Sequence, residues 1–510
     1  MGVIFNEAEA VWEWLMTHLI VINLLFSIII IFFQRRDPRS VWTWLFALNF
    51  IPVFGIIFYL LFGQDLKKSR MFKVKGISDR LNMPVKSQEE IIRSSDIPEE
   101  MMDPLIRDFR SLILYNLETS GAVLTTDNQV KIYTDGQAKF EGLRTALRRA
   151  SRFIHIQYYI IKNDEVFDSI VPILEDKVRE GVEVRILYDG MGGRFMPKRR
   201  WEELRRAGIL VGVFFPPILG WLNLRVNYRN HRKIVVIDGN VGFVGGFNIG
   251  REYISKDPGF GYWRDTHLRI TGEAVMSLQI RFALDWNYAT GENLFKNEAY
   301  FRTDLKKKTD VRRDKERPAW PDPELEGSQV GMQIIASGPD TREPHIRNNY
   351  LELFHKAKHH IYIQTPYFVP DDAIFSALKM AALSGVDVRL MIPCKPDHPF
   401  VYRATCSYAG ELLDYGAKVY IYTNGFLHSK GIMVDGRVCC YGTANMDIRS
   451  FELNFEVNAT IYDEAVTAEL EQAFMNDLPH CHQITREDYK KRGLLTRIRE
   501  QGSRLLSPLL

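Results

Sequence analysis

A pattern of His-x-Lys-x4-Asp occurs twice in this chain of 510 residues, first from His231 and again from His428. After the same gap, each copy continues into a turn of small residues that ends in an asparagine, Asn248 in the first copy and Asn445 in the second. At average residue usage, one such pattern arises by chance in roughly one in tens of chains of this length. Two copies with the same extension are far more constraining, and they predict a fold built from a duplicated unit.

The sequence around the two motifs repeats as well. Residues 154–157 correspond to 361–364, and residues 181–186 correspond to 385–390. Each half reads as strand, helix, strand, helix, strand and motif, so the whole unit is duplicated. This alternation predicts an α/β fold of two homologous αβα domains, each with a mainly parallel sheet and helices on both faces.

Each motif is predicted to lie on a strand pair that turns at an Asp-Gly dipeptide, which is a strong hairpin signal. Side chains two apart on a strand share a face, so the histidine and lysine of one motif point the same way. The aspartates, Asp238 and Asp435, fall in the turns and are expected to brace them rather than to touch substrate. The candidate catalytic residues of the two motifs are His231, Lys233, Asp238, His428, Lys430 and Asp435.

Two histidines, two lysines and two asparagines suit chemistry at a phosphodiester. One imidazole would attack phosphorus and the other would protonate the leaving oxygen, while the lysines, Asn248 and Asn445 neutralise the non-bridging oxygens. Neither half alone supplies both a nucleophile and an acid together with the cationic groups. The halves should therefore pack about a pseudo-twofold axis with one active site at their interface. We take His231 as the nucleophile and His428 as the acid and then the base, although a near-symmetric sequence does not decide between them.

The N-terminal segment predicts a membrane hairpin. Residues 15–33 and 41–62 contain no Asp, Glu, Lys or Arg, and a helix needs ~20 apolar residues to cross a bilayer. A buried core hairpin is the alternative, or a signal peptide for the first helix, but Glu7, Glu9 and Glu13 stand where a signal peptide is basic. Counting Lys and Arg near the helix ends favours a cytoplasmic catalytic domain.

The rest of the chain divides by composition. The expected parts are a transmembrane hairpin at 1–66, a basic linker at 67–104, a first domain at 105–300, a charged linker at 301–328, a second domain at 329–484 and a basic amphipathic tail at 485–510. The tail could lie on anionic lipid or be a solvated helix. An apolar loop at 213–222 could dip into the bilayer, line an acyl groove, or tuck into the domain interface.

Composition excludes several classes of function. A formal net charge of +3, with no aromatic and basic stacking platform, does not indicate a nucleic-acid partner. Five cysteines are an odd number without ligand-like spacing, which fits a reducing compartment and indicates neither disulfides nor zinc. No carboxylate cluster suits Mg²⁺, so we expect no metal or other cofactor.

The paired motif resembles the phospholipase D superfamily, and other segments resemble its bacterial cardiolipin synthase family. The segments that carry this resemblance are 35–40, 230–233, 263–265, 337–340, 365–368 and 449–456. It implies the condensation of two phosphatidylglycerol molecules, with release of glycerol, by a multi-pass protein of the bacterial plasma membrane. It also implies that Glu456 orients one histidine and that Asp265 orients the other.

Alternatives remain at this point. Either carboxylate could instead pair with an arginine near it in sequence, Arg449 or Arg264. A hydrolytic phospholipase D or a phosphatidylserine synthase would share the motif, and a nuclease or a catalytically silent scaffold is also conceivable. The sequence leaves the oligomeric state open.

Overall fold

The computed structural model describes most of the chain. The described residues are 14, 17–33, 38–51, 53–56, 59, 86, 88–90, 92, 103–216, 227–301, 329–341, 343–505 and 507. The expected linkers at 67–104 and 301–328, and residues 217–222 of the apolar loop, fall almost wholly outside these ranges.

The chain forms two compact units, and the smaller one comprises residues 1–69 and 217–228. Residues 17–28 are helical and continue into a π-helix at Ile29–Phe33, and helix α1 follows at Pro38–Phe50. The Asn23 amide donates to the Leu48 carbonyl at 2.8 Å, beside a small apolar cluster. Among the described residues, no helix is both long enough and apolar enough to cross a bilayer.

The larger unit, residues 70–216 and 229–510, contains both copies of the repeat. The strands of the first copy are β1 (Thr125–Tyr133), β2 (Phe153–Tyr158), β3 (Glu183–Asp189), β4 (Leu210–Phe214), β5 (Arg229–Asn230), β6 (Ile234–Ile237), β7 (Val241–Gly245), β8 (Trp263–Arg264) and β9 (His267–Thr271). Those of the second are β10 (Val330–Ser337), β11 (His360–Gln364), β12 (Phe368–Val369), β13 (Asp387–Pro393), β14 (Lys418–Tyr422), β15 (Phe426–Leu427), β16 (Gly431–Val434), β17 (Val438–Gly442), β18 (Met446–Asp447), β19 (Asn454–Tyr462) and β20 (Cys481–Ile484).

The helices of this unit flank the strands. They are α2 (Pro104–Asp108), α3 (Arg110–Ser120), α4 (Gly136–Arg148), α5 (Glu165–Asp168), α6 (Val171–Arg179), α7 (Lys198–Arg206), α8 (Ala274–Thr290), α9 (His345–Lys356), α10 (Asp372–Leu383), α11 (Pro399–Leu412), α12 (Ile448–Glu452), α13 (Glu464–Asp477), α14 (Arg486–Lys490) and α15 (Leu494–Leu505). Short 3₁₀ helices lie at Gly192–Phe195, Arg251–Ile254, Leu294–Lys296, Glu298–Phe301, Leu413–Tyr415 and Leu478–His480.

The order of the strands shows the duplication directly. One continuous sheet runs β20-β14-β13-β11-β16-β17-β19-β10-β1-β9-β7-β6-β2-β3-β4, with β5 attached to β19. Outward from the antiparallel β1–β10 pair, each half presents its strands in the same order. The prediction of two homologous α/β domains is confirmed.

The prediction of a mainly parallel sheet is wrong. In each half the strands that are joined through helices are parallel, as in β2–β3–β4 and β11–β13–β14. The motif strands and the strands toward the centre pair antiparallel instead. Because the Asp-Gly turn reverses the chain within a few residues, it dictates antiparallel pairing at the centre of each half.

Each half has its own apolar core, and the two do not divide at the expected boundary. Helices α2 and α3 precede the first repeat in sequence, yet Leu105, Leu112 and Ile113 pack into the core of the second. Asn116 of α3 also donates to Gln333 of β10 at 3.2 Å. The first repeat's own sheet begins only at β1, so residues 105–120 belong structurally with the second repeat.

Candidate active site

The short strand before each motif histidine crosses to the opposite repeat. Strand β5 pairs in parallel with β19, and β15 pairs in parallel with β8. Beyond these strands, the His231 amide donates to the Phe455 carbonyl at 3.0 Å and the His428 amide donates to the Arg264 carbonyl at 2.7 Å. The backbone of each histidine is therefore fixed by the other half of the molecule.

The His231 side chain is held by Glu456 of the second repeat. Its Nδ1 lies 3.0 and 3.1 Å from the two carboxylate oxygens, and the carboxylate is fully buried. Burial lowers the pKa of His231 below its ordinary value, and the negative charge of Glu456 opposes that shift. Burial alone would raise the pKa of Glu456, but His231 and Lys233 more than offset this and hold that pKa low.

The His428 side chain is held in the same way by Asp265 of the first repeat. Its Nδ1 lies 2.6 Å from the Asp265 carboxylate. Burial, reinforced by Lys430, lowers the pKa of His428 to about 4, with Asp265 opposing the shift. Since a carboxylate occupies Nδ1 of each imidazole, Nε2 is the nitrogen left to react.

The two carboxylates occupy equivalent positions. In the first repeat Gly245 pairs with His267, and in the second Gly442 pairs with Asn458. Asp265 lies two residues before His267, and Glu456 lies two residues before Asn458. The geometry thus brings both residues expected to orient a histidine to their targets, with each histidine served by the opposite repeat.

The motif lysines lie behind the histidines. Lys233 Nζ donates to the His231 carbonyl at 2.7 Å, and Lys430 Nζ lies 2.8 Å from His428 Nδ1. Both side chains are buried, which lowers their pKa values. Asp265, 3.8 Å from Lys430 Nζ, opposes the shift for Lys430, as Glu456 does for Lys233.

Both imidazoles open into one cavity of about 440 Å³. Both extension asparagines, Asn248 and Asn445, line the same space, whereas the two motif lysines do not. The Asn248 oxygen accepts from the Ile160 amide at 3.1 Å, which fixes the direction of its side chain. Within the described protein atoms, the Asn445 oxygen is buried without a hydrogen-bond donor.

The motif aspartates do not line this cavity, and their place among the candidate catalytic residues stays a prediction. Asp238 accepts from the backbone amides of residues 151, 152 and 153, and Asp435 accepts from those of residues 358, 359 and 360. Both aspartates have positive φ, of 56° and 54°, at the start of a turn completed by Gly239 or Gly436. They join the hairpin to the start of the neighbouring strand, which is the bracing role.

The variable residue of the first motif has a structural role that the pattern concealed. Arg232 is buried and binds the Asp285 carboxylate with 2.6 and 2.7 Å contacts. It also donates to the carbonyls of Ser337 and Glu456 in the second repeat. A buried aspartate on a helix carries no sequence signal of its own, so sequence reasoning missed this link between the halves.

A buried aspartate of the second repeat, Asp477, pairs with an arginine of the first repeat. Arg264 Nε lies 2.9 and 3.1 Å from the Asp477 carboxylate, which also accepts from Gln364 at 2.9 Å. Arg264 is thus paired with Asp477, while the carboxylate of Asp265, the next residue, binds His428. The alternative in which Asp265 pairs with Arg264 is therefore wrong.

Some other side chains in the cavity wall lie in the segments that carried the family resemblance, namely Trp263, Tyr367, Arg449 and Asn454, and the rest carried no recognisable pattern. The remaining lining residues are Tyr159, Ile160, Arg229, Tyr253, Trp263, Tyr367, Val369, Asp397, His398, Val401, Asp447, Arg449 and Asn454. The Trp263 ring lies 5.0 Å from the His428 ring, and the Tyr159 ring lies 5.1 Å from the His231 ring. Each imidazole is therefore flanked by an aromatic ring.

Comparison with known proteins agrees with this geometry. A family model described as "Cardiolipin synthase, PLD-like domain" matches residues 143–260 and 350–478, one match in each repeat. A second, described as phospholipase D-nuclease N-terminal, matches residues 21–64. The cardiolipin synthase of Listeria innocua serovar 6a is 45% identical over 98% of this chain and 99% of its own length.

The chain belongs to the cardiolipin synthase family. This confirms the resemblance seen in the sequence, and the chain is accordingly an enzyme of phosphatidyl transfer. The cardiolipin synthase of Staphylococcus aureus strain Mu50, another relative in the family, is 47% identical over 96% of this chain and 95% of its own length. The crystal structure of phosphatidylserine synthase from Haemophilus influenzae Rd KW20 has a TM-score of 0.55 and 15% identity, and covers 75% of this chain and 95% of that one. That likeness shows the fold alone.

Proposed function

We propose that the enzyme transfers a phosphatidyl group from one phosphatidylglycerol to another through a covalent phosphohistidine, giving cardiolipin and glycerol. The observation that carries this proposal is the single cavity into which both imidazoles open. Each imidazole is held by a carboxylate of the opposite repeat, so one chain supplies one complete site.

In the first step, His231 Nε2 attacks the phosphorus of one phosphatidylglycerol and the bond to the glycerol oxygen breaks. His428 gives its proton to that oxygen, and glycerol leaves. Burial lowers the pKa of His231 and so favours the neutral imidazole, whose free lone pair attack requires. Burial lowers the pKa of His428 in the same direction, so this shift does not assign the two roles.

In the second step, neutral His428 takes a proton from the terminal hydroxyl of a second phosphatidylglycerol. The hydroxyl oxygen attacks phosphorus, the bond to His231 breaks, and cardiolipin is released. Glu456 and Asp265 keep the reactive nitrogens directed at phosphorus and stabilise each imidazole when it carries positive charge.

The charge that builds up on the phosphorus oxygens requires nearby hydrogen-bond donors. Asn248 and Asn445 line the cavity and would donate to these oxygens, a role that falls partly to magnesium in other phosphoryl-transfer enzymes. Lys233 and Lys430 do not line the cavity, and from behind the histidines they would stabilise the same charge through their own positive charge.

The proton needed in the first step arrives with the substrate. With a pKa of about 4, His428 is neutral near pH 7 in the empty site. A phosphodiester anion that enters the cavity favours the protonated imidazole and raises that pKa. Substrate binding and protonation of His428 are therefore coupled.

The N-terminal segment anchors the enzyme as a transmembrane hairpin, with helices at 15–33 and 41–62 and the catalytic unit on the cytoplasmic side. The absence of charged side chains from both stretches supports this, as does the N-terminal family match over residues 21–64. Anchoring places the cavity close to its lipid substrates.

A hydrolytic phospholipase D or a phosphatidylserine synthase would use the same paired histidines, so the product decides the reaction. A site that opens toward a membrane favours a lipid alcohol over water through effective concentration and exclusion of solvent. Purified enzyme in phosphatidylglycerol vesicles should release glycerol and cardiolipin in equal amounts, as measured by mass spectrometry. Phosphatidic acid as the main product would overturn the proposal, and so would phosphatidylserine formed on addition of serine.

A further inference from the structure

The C-terminal helix α15 packs with its polar side against the protein and its apolar side outward. Glu500 and Ser503 are only 5% and 3% exposed, whereas Leu494, Ile498 and Leu505 are 74%, 59% and 83% exposed. A surface helix of a globular protein normally has the reverse arrangement. Within the part of the chain that the structure describes, these apolar side chains of α15 are left exposed.

Specific contacts fix this orientation. Glu500 is ion-paired with Arg492, and Arg504 reaches Glu411 of α11 at 2.5 Å. The Arg504 guanidinium also lies 4.2 Å from the centre of the Tyr408 ring on the same helix. These charged and aromatic contacts lie on the protein side of α15, so the outward direction of its leucines is built into the fold.

Basic side chains flank the apolar stripe. At 3.6 residues per turn, Arg497 and Arg499 fall on opposite sides of the stripe formed by Leu494, Ile498 and Leu505. The segment before the helix adds Lys490 and Lys491. An apolar stripe bordered by cations on both sides is the pattern of a helix that lies in the headgroup layer of an anionic membrane.

The position of α15 relates it to the active-site cavity. The helix packs on α11, and His398 and Val401, at the start of α11, line the cavity. Between them, Phe400 is 55% exposed. Helix α11 therefore lies between the two: Tyr408 and Glu411, toward its C-terminal end, contact α15, and its N-terminal end contributes to the cavity wall.

We propose that α15 is an interfacial helix that docks the catalytic unit on the surface of an anionic bilayer. Its apolar stripe enters the acyl boundary while the flanking arginines meet the lipid phosphates. Docking would bring the end of α11, and with it the cavity, toward the lipid. This docking role of α15 does not depend on the reaction proposed above.

The test uses the full chain in vesicles of phosphatidylglycerol and phosphatidylcholine, with an environment-sensitive fluorophore on Ile498→Cys. We expect blue-shifted emission that is quenched by a spin label on the acyl chains and protected from a water-soluble quencher. Both effects should weaken when the vesicles contain phosphatidylcholine alone. The matched control is Leu210→Cys, an exposed apolar position at the start of β4, which should respond only to the water-soluble quencher. The unsubstituted chain, labelled in parallel, gives the contribution of the five native cysteines.

Three results would overturn the proposal. The label at residue 498 could be as open to the water-soluble quencher as the label at residue 210. It could be quenched from the lipid equally with and without phosphatidylglycerol, which would remove the role of charge. Protection from both quenchers, with cross-linking of two chains through residue 498, would instead assign the face to a second copy of the chain. As a control, each variant should form product in detergent micelles at the rate of the unsubstituted chain, which shows that it is folded. This control also distinguishes a failure of docking from a failure of the proposed reaction.

Discussion

The contact between His231 and Glu456 ties the chemistry of one repeat to the other. Glu456→Gln should lower kcat by roughly 10²- to 10⁴-fold, because an amide neither stabilises the imidazolium nor selects the same tautomer. Substrate affinity should change little, since the carboxylate does not line the cavity. Steady-state kinetics on phosphatidylglycerol in micelles measures this, and a loss confined to KM would contradict the orienting role. Asp265→Asn, at the equivalent position, is the matched comparison and should behave alike.

The lowered pKa values of the histidines make the rate depend on pH in a particular way. In the reactive form one imidazole is protonated and the other is neutral. In the empty site the pKa values of both imidazoles lie below the ordinary value of ~6.5. The profile of kcat/KM, which reports the free enzyme, should therefore lie at lower pH than that of kcat, which reports the enzyme with substrate bound. Superimposable profiles would show that the substrate does not raise the pKa of His428.

At the scale of elements, the motif hairpins depend on their aspartates. Asp238→Ala leaves three backbone amides without their acceptor, of which that of Phe153 is buried, and should lower the free energy of unfolding by roughly 1–3 kcal/mol. Asp238→Asn keeps one acceptor oxygen and should lose less. Thermal unfolding in detergent, with kcat corrected for the folded fraction, separates stability from chemistry. A kcat that collapsed while the melting temperature held would mean that Asp238 acts in catalysis.

The elements also show what the sequence could and could not predict. The Asp-Gly turns and the alternation of strands and helices were readable because they depend on local backbone preferences. The antiparallel direction of each motif hairpin followed from its turn, but the antiparallel pairing of its neighbours did not, because pairing between distant strands is a tertiary property. For the same reason α2 and α3, which precede the first repeat, were assigned to it although their apolar faces pack into the core of the second.

For the whole molecule, the paired motif predicted one site between two repeats, and the structure brings both imidazoles to one cavity. The exchange of carboxylates between repeats could be anticipated only through family resemblance, since Asp265 and Glu456 lie far from their histidines in sequence. The buried arginine links to Asp285 and Asp477 were invisible, because nothing in their local sequence marks them as partners. The pair of Arg264 with Asp477 joins the two halves directly. Arg232 is paired with Asp285 within the first repeat and reaches the second through the Ser337 and Glu456 carbonyls.

The central claim is that both imidazoles act on one phosphorus atom, with His231 bonded to it between the two steps. The most direct test is to mix the enzyme with phosphatidylglycerol labelled at phosphorus, stop the reaction within a turnover, and map the labelled residue by mass spectrometry under conditions that preserve phosphohistidine. We expect at most one phosphatidyl group per chain, on His231. Label on His428 alone would reverse the roles of the histidines, and label on both histidines of one chain would contradict a single shared site.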